Sequence, residues 1–187
     1  MESAAQLCHL KGMRLFIALD LPPETRAALG ALQDRLPAGL RPVPEENLHL
    51  TMAFLGDQPD AVTEALHEGL ETLRAPRLAL SLGGIAVYGG HRGQVLALEA
   101  EGEAPLHELH DRIRARLRGA GAQVERRRFR PHVTLARMPG HADPGPALAT
   151  LAAAQIAPFT VSSFGLYQST LHPDGAIYET LASYPLG

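Results

Sequence analysis

A strand signature that occurs twice constrains this chain more than any other feature. Arg130-Pro131-His132-Val133-Thr134-Leu135-Ala136-Arg137 has a near copy, Leu48-His49-Leu50-Thr51-Met52-Ala53, 83 residues upstream. Side chains on a strand alternate between its faces, so His132 and Thr134 point one way while Val133 and Leu135 point the other. His49 and Thr51 likewise share a face opposite Leu48, Leu50 and Met52. Burying the apolar sets turns a histidine and a hydroxyl from each strand towards one surface, where four polar groups can surround a small anion. A single His-x-Thr is usually no more than a half-exposed strand. Two copies in matching contexts call for a common explanation.

The contexts do match. Arg14–Leu19 reads as a strand, and Leu21-Pro22-Pro23-Glu24 supplies the prolines and early acid of a helix start. A helix follows over 23–36, with Leu29, Leu32 and Leu36 at helical spacing. A Pro- and Gly-rich loop over 37–46 leads to the His49 strand, expected to end at Gly56. The spacing then predicts a helix over 57–74, with Val62, Leu66, Leu70 and Leu73 as its buried stripe, and a strand over 77–88 interrupted at Gly83-Gly84. After a turn at Gly89–Gly93 the order repeats. A strand over 94–99 and a helix over 104–118, with Leu106, Leu109, Ile113 and Leu117 on one side, precede the Arg130–Arg137 strand. A short helix over 146–154, a strand over 159–168 and a final strand over 176–183 follow. Strand, helix, His-x-Thr strand, helix, strand thus occurs twice, too few times for a solenoid. The expected fold is α+β: two pseudo-symmetric lobes with antiparallel sheets facing a central cleft, one His-x-Thr strand in each. No linker separates them, so residues 13–187 are expected to form one bilobal domain, preceded by a poorly ordered extension over 1–12.

Composition narrows the partners. The net charge is −3 and the pI about 6.3, which argues against a general nucleic-acid coating protein. Yet residues 112–137 hold nine Arg and one Glu, a cationic run that leads into His132 and suits a landing surface for a polyanion. The one cysteine, Cys8, allows no intramolecular disulfide and no CxxC site. No signal-peptide pattern or apolar run long enough to span a bilayer occurs, so a soluble cytoplasmic protein, acting as a monomer, is expected.

Histidine titrates near pH 6.5, so a pair at neutral pH can hold one neutral and one protonated ring. That suits in-line displacement at phosphorus, one ring removing a proton from the attacking hydroxyl or water and the other delivering one to the departing oxygen. Thr51 and Thr134 can donate to the non-bridging oxygens as charge builds. Arg130 shares the parity of His132 and is expected to face the cleft; Arg137 has the opposite parity and reaches it only if the strand bulges or ends there. Arg14 and Phe16 share one face of the first strand, from which Phe16 can stack on a terminal base. Arg126, Arg127 and Arg128 precede the motif where an incoming strand would pass the rim. No metal is expected: neither motif carries a carboxylate on the same face, and there is no His-x-His or HExxH. His9, His67, His91, His107, His110, His141 and His172 lack the strand context and are expected to be exposed structural residues. P-loop, GxSxG and dinucleotide-binding patterns are lacking.

Met13-Arg-Leu-Phe-Ile-Ala-Leu-Asp-Leu-Pro, Leu48-His-Leu-Thr-Met-Ala-Phe-Leu-Gly, Phe129-Arg-Pro-His-Val-Thr-Leu-Ala-Arg and Leu166-Tyr-Gln-Ser-Thr-Leu-His-Pro-Asp-Gly-Ala-Ile-Tyr resemble the RNA 2',3'-cyclic phosphodiesterases. These are two-histidine (2H) phosphoesterases first described as 2'-5' RNA ligases, and the resemblance spans residues 13–186. It implies the bilobal 2H fold and hydrolysis of an RNA 2',3'-cyclic phosphate end to a 2'-phosphate without metal or other cofactor, with reversible 2'-5' joining as a side activity. It also implies that His49 is the proton donor to the leaving 3'-oxygen and His132 the base for water. The pseudo-symmetry of the residues themselves leaves that assignment open. Alternatives are a sister 2H activity on 2'-5' oligonucleotides or cyclic-phosphate nucleotides, and an RNA-end-binding module without turnover.

Overall fold

In the computed structural model, residues 12–123, 128–172 and 175–187 are described; the expectations for residues 1–11 and for Arg126 and Arg127 lie outside them. The elements follow the expected order. β1 (Met13–Asp20) and α1 (Pro23–Gln33) lead through a two-residue strand β2 (Arg41–Pro42) and a 3-10 turn (Glu45–Asn47) to β3 (His49–Gln58). Then come α2 (Asp60–Glu71), the hairpin β4 (Leu78–Gly90) and β5 (Gly93–Glu101), α3 (Glu103–Gly119) and β6 (His132–Met138). α4 (Gly145–Ala152), β7 (Phe159–Val161), β8 (Ser163–His172) and β9 (Gly175–Pro185) complete the chain.

The two motif strands lie side by side at the centre of an antiparallel sheet of order β7-β4-β5-β6-β3-β1-β8-β9, with β2 paired to β6. Their apolar residues are buried as the alternation requires: Leu50, Met52, Val133 and Leu135 are each at most 2% exposed. They join one core with Leu29 and Leu32 of α1, Leu66 and Leu70 of α2, and Leu106, Leu109, Ile113 and Leu117 of α3. The helices therefore cover the apolar face of the sheet and leave the His-x-Thr face open.

The lobes are not simply the two sequence repeats. The expected strand over 159–168 is broken at Ser162: β7 pairs with β4, whereas β8 crosses to pair with β1. β4, which closes the first repeat, pairs with β5 of the second. Each repeat thus places its last strand in the other's half of the sheet, because the β4–β5 hairpin turns back at once. Gly89 makes that turn possible with a φ of 100°, and a Cβ there would lie 2.3 Å from the Gly93 carbonyl oxygen.

Candidate active site

β3 and β6 meet through the pair Leu50 and Val133. Their antiparallel sense sets His49 towards Thr134 and Thr51 towards His132, so each histidine faces the other strand's threonine. Both rings are held alike at one nitrogen. His49 Nδ1 lies 2.7 Å from the Asn47 carbonyl oxygen and His132 Nδ1 lies 2.7 Å from that of Arg130. A carbonyl only accepts, so Nδ1–H donates in each case and Nε2 is the nitrogen left for chemistry. His49 Nε2 lies 3.0 Å from Thr51 Oγ1, which donates to the neutral ring and accepts from the charged one.

Beyond these bonds the two centres differ. Against His49 lie Phe16, at a ring-centroid distance of 5.0 Å, and Tyr178, at 5.4 Å; Tyr167 stacks on the Phe16 ring at 5.1 Å. Burial in this aromatic box pulls the His49 pKa below its ordinary 6.5, the bond to Asn47 opposes the shift, the positive charge of His132 adds to it, and the Asp20 carboxylate opposes it. Asp20 accepts from Ser163 Oγ at 2.8 Å and from the Tyr167 hydroxyl. Burial and this carboxylate push the Tyr167 phenol well above its usual value. On the other side the described ring against His132 is Tyr88, at 4.7 Å.

Two cavities flank the box. The larger, about 600 Å³, is lined by Arg14, Phe16, Phe54, Arg137 and Tyr178 among others. The smaller, about 390 Å³, lies against Asp20, Arg26, His49, Tyr167 and Thr180. Arg137 reaches the larger one because β6 bulges. Ala97 pairs with Thr134 and Leu96 with Ala136, so Leu135 is left over and the alternation reverses after it. Ala136 is buried and Arg137 exposed. The carbonyl of the extra residue is held by Val43 N at 2.8 Å and by Gln33 Nε2 at 2.7 Å. The parity argument against Arg137 is corrected by this bulge, through the very exception it allowed.

The other expected contacts are distributed as follows. Arg14 lines the larger cavity. Phe16 faces the cleft as its parity requires, but at 2% exposure it has no open face for a base; it is a wall of the His49 box. The open ring on that wall is Phe54, 54% exposed, which sequence reasoning passed over. Arg130 is exposed ahead of β6, where its charge lowers the pKa of Tyr88 against the rise caused by burial and Glu99. Arg128 is exposed in the same lead-in. The arginines of α3 belong to the helix layer: Arg112 Nη1 donates to the Arg74 carbonyl at 2.7 Å, and the Arg116 side chain lies beside Gly69 of α2. His110 is not exposed as expected but 8% accessible, stacked on Phe129 at 3.9 Å, because it shares the apolar stripe of α3. Tyr167 and Tyr178 were also missed as site residues. Their place on a hairpin paired to β1 is a tertiary fact that no local pattern announces.

Twin strands delivering paired histidines and threonines to one cleft are the arrangement of the two-histidine phosphoesterases. Residues 21–173 match the model of the 2'-5' RNA ligase superfamily. An RNA 2',3'-cyclic phosphodiesterase of Thermus thermophilus is 34% identical, over 93% of this chain and 90% of its own length. Another, from Geobacillus stearothermophilus, is 31% identical over 95% of this chain, which spans 58% of that protein. Among solved structures, apo LigT of Escherichia coli superposes with a TM-score of 0.75 at 28% identity, covering 94% of this chain and 98% of LigT. LigT complexed with 3'-AMP gives 0.73. The chain belongs to the 2'-5' RNA ligase superfamily.

Proposed function

We propose that this protein hydrolyses the 2',3'-cyclic phosphate at an RNA end to a 2'-phosphomonoester. The observation that carries the reading is the matched pinning of the two histidines. Each Nδ1 is committed to a backbone carbonyl, and each Nε2 is left on the cleft face where β3 and β6 meet. The relatives' names agree with this chemistry.

In the proposed reaction His132 Nε2 takes a proton from water as its oxygen bonds to phosphorus. The bond from phosphorus to the 3'-oxygen breaks, and His49 Nε2 delivers a proton to that oxygen. Thr51 and Thr134 donate to the non-bridging oxygens, whose charge grows in the transition state. His49 must then be protonated when substrate is bound, although burial favours its neutral form in the free protein. The arriving phosphate supplies the correction, because an adjacent anion raises a histidine pKa. When an RNA 5'-hydroxyl takes the place of water as the attacking group, the same displacement of the 3'-oxygen gives a 2'-5' linkage, and its reversal cleaves that linkage.

The larger cavity suits the terminal nucleoside: Phe54 and Tyr178 offer rings, and Arg14 and Arg137 offer cations. Arg130 is assigned to the reacting phosphate. Arg126, Arg127 and Arg128 are assigned to the RNA body as it passes the rim. Among the described residues no helix is long and apolar enough to cross a membrane; a monomer working on RNA in the cytoplasm is the finer reading.

The test is turnover of 2',3'-cyclic mononucleotides and of RNA bearing a cyclic end, with and without chelator. The expected product is the 2'-phosphate, at a rate the chelator does not change. Affinity without product would make the protein an RNA-end-binding module. Faster turnover of a 2'-5' oligonucleotide than of any cyclic phosphate would place it with the sister activity.

A further inference from the structure

His49 is held at both ring nitrogens and walled by two aromatic rings, whereas among the described residues His132 is bonded at Nδ1 alone, to the Arg130 carbonyl, and stands at a more open face. An imidazole with one bond and no wall can turn about its χ2 torsion and lose the tautomer the reaction needs. A wall is present, and an irregularity in the sheet holds it. Across β4 and β5 the register passes from Leu82 opposite Ala100 to Ile85 opposite Leu98, leaving Gly83 and Gly84 against Glu99. The glycines make a notch: a Cβ on Gly84 would stand 2.7 Å from Glu99 Oε2. Glu99 is also the cross-strand partner of His132. Its Oε1 accepts from the Tyr88 hydroxyl at 3.2 Å, and the Tyr88 ring lies 4.7 Å from the His132 ring, tilted by 46°.

We infer that Tyr88 is a positioning residue for His132: the Gly83-Gly84 notch seats Glu99, Glu99 anchors the Tyr88 hydroxyl, and the Tyr88 ring keeps His132 Nδ1 on the Arg130 carbonyl. The first lobe contains the same device in a different form, with the Tyr167 hydroxyl on Asp20 and Asp20 opposite His49. There Tyr167 acts at one remove, through Phe16. In the second lobe no such intermediary is described, so the tyrosine meets the histidine itself. A raised Tyr88 pKa, caused by burial and then by Glu99, is consistent with a hydroxyl that keeps its proton and donates it.

The inference rests on His132 being a reacting group, so one readout must not depend on turnover. Long-range 1H–15N NMR of the unliganded protein is expected to show His132 as the Nδ1–H tautomer in the wild type and in Tyr88→Phe, and as a tautomer mixture in Tyr88→Ala. In kinetics on a 2',3'-cyclic mononucleotide, Tyr88→Ala is expected to lower kcat by roughly 10-fold or more at unchanged KM, the scale of a misplaced catalytic group. Tyr88→Phe and Glu99→Gln, which keep the ring and remove or weaken its anchor, should fall between the wild type and Tyr88→Ala, with Glu99→Gln no worse than Tyr88→Phe, and Gly84→Ala should fall in the same range. A loss confined to KM would make Tyr88 a substrate contact and overturn the assignment. An unchanged tautomer in Tyr88→Ala would overturn it as well. A wild type that turns over no cyclic phosphate would defeat the proposed function instead, and the NMR result would still decide the role of Tyr88.

Discussion

The two halves of the site carry the same motif in opposite surroundings. His49 sits inside a box of Phe16 and Tyr178, with a threonine on its Nε2 and a pKa drawn down by burial. His132 stands at a more open face where, among the described residues, the ring beside it is Tyr88. A duplicated strand supplies two equivalent bases, and equivalence is of no use to a reaction that needs one proton accepted and another given. What separates the two centres lies on the neighbouring strands: β8 and β9 close over the first histidine, while β4 only touches the second. The difference teaches that in a repeated site the motif fixes which groups are presented, and the non-repeated hairpins make their environments unequal.

The largest effects test whether both centres are needed at all. His49→Ala and His132→Ala should each lower turnover by roughly 10² to 10⁴ while the fold is kept, the usual contribution of general acid-base catalysis. A variant with normal kcat by direct product assay would remove that histidine from the mechanism. Next come the threonines. On the proposed roles Thr51→Val removes both a phosphate donor and the partner of His49 Nε2, and Thr134→Val removes a phosphate donor alone. If hydrogen bonds to charged groups contribute about 1.5–3 kcal/mol each, single losses of roughly 10 to 10² in kcat follow, with Thr51→Val the greater. Equal losses would mean that the Thr51–His49 contact plays no part.

The box itself is probed by pH. A depressed His49 pKa means that the ring is charged only at lower pH, so if it is the acid, kcat/KM must fall as pH rises through a value below 6.5. In kcat the same limb should lie higher, because bound phosphate favours the charged ring. Phe16→Ala, which lets water reach His49, should move the kcat/KM limb upward. A limb that stays put in that variant would sever the link between burial and proton delivery.

Smaller effects concern binding. Arg137→Ala should raise KM for a mononucleotide by roughly 10-fold at nearly constant kcat, as for loss of a charged contact. Gln33→Ala, which leaves the Leu135 carbonyl to Val43 N alone, should do the same to a lesser degree. Arg130→Ala is expected to impair even a mononucleoside cyclic phosphate. The smallest change on short substrates belongs to the triple neutralisation of Arg126, Arg127 and Arg128, which should weaken only longer RNA and flatten its salt dependence. Equal losses on a mononucleotide and a ten-nucleotide RNA would overturn that division.

Much of this arrangement was legible in the residues. The alternation around His49 and His132 gave the buried and open faces, and the helix stripes gave the layer beneath them, because both depend on short-range periodicity. What was not legible depended on distant partners. The bulge that turns Arg137 into the cleft is held by Gln33, 102 residues away from the carbonyl it binds. Phe16 has cleft parity, as read, but its burial comes from Tyr167 and Tyr178 on strands whose place beside β1 no local pattern specifies. The break at Ser162 was missed because Phe159–Gln168 reads as one strand, and only the sheet decides that its two parts have different neighbours.

The crossing of β8 to β1 also bears on how the chain reaches its native state. Leu15 at one end of the sequence pairs with Gln168 near the other, and α1 of the first repeat bonds, through Gln33, to β6 of the second. Neither half can therefore complete its sheet while it is the only half made. During synthesis β1 is made well before β8 and waits with an open edge until β8 follows, the kind of non-local pairing that slows folding and leaves strands open to aggregation. A protein whose sequence looks like two copies of one unit is, in assembly, indivisible: β1 of one copy is locked in place by β8 of the other.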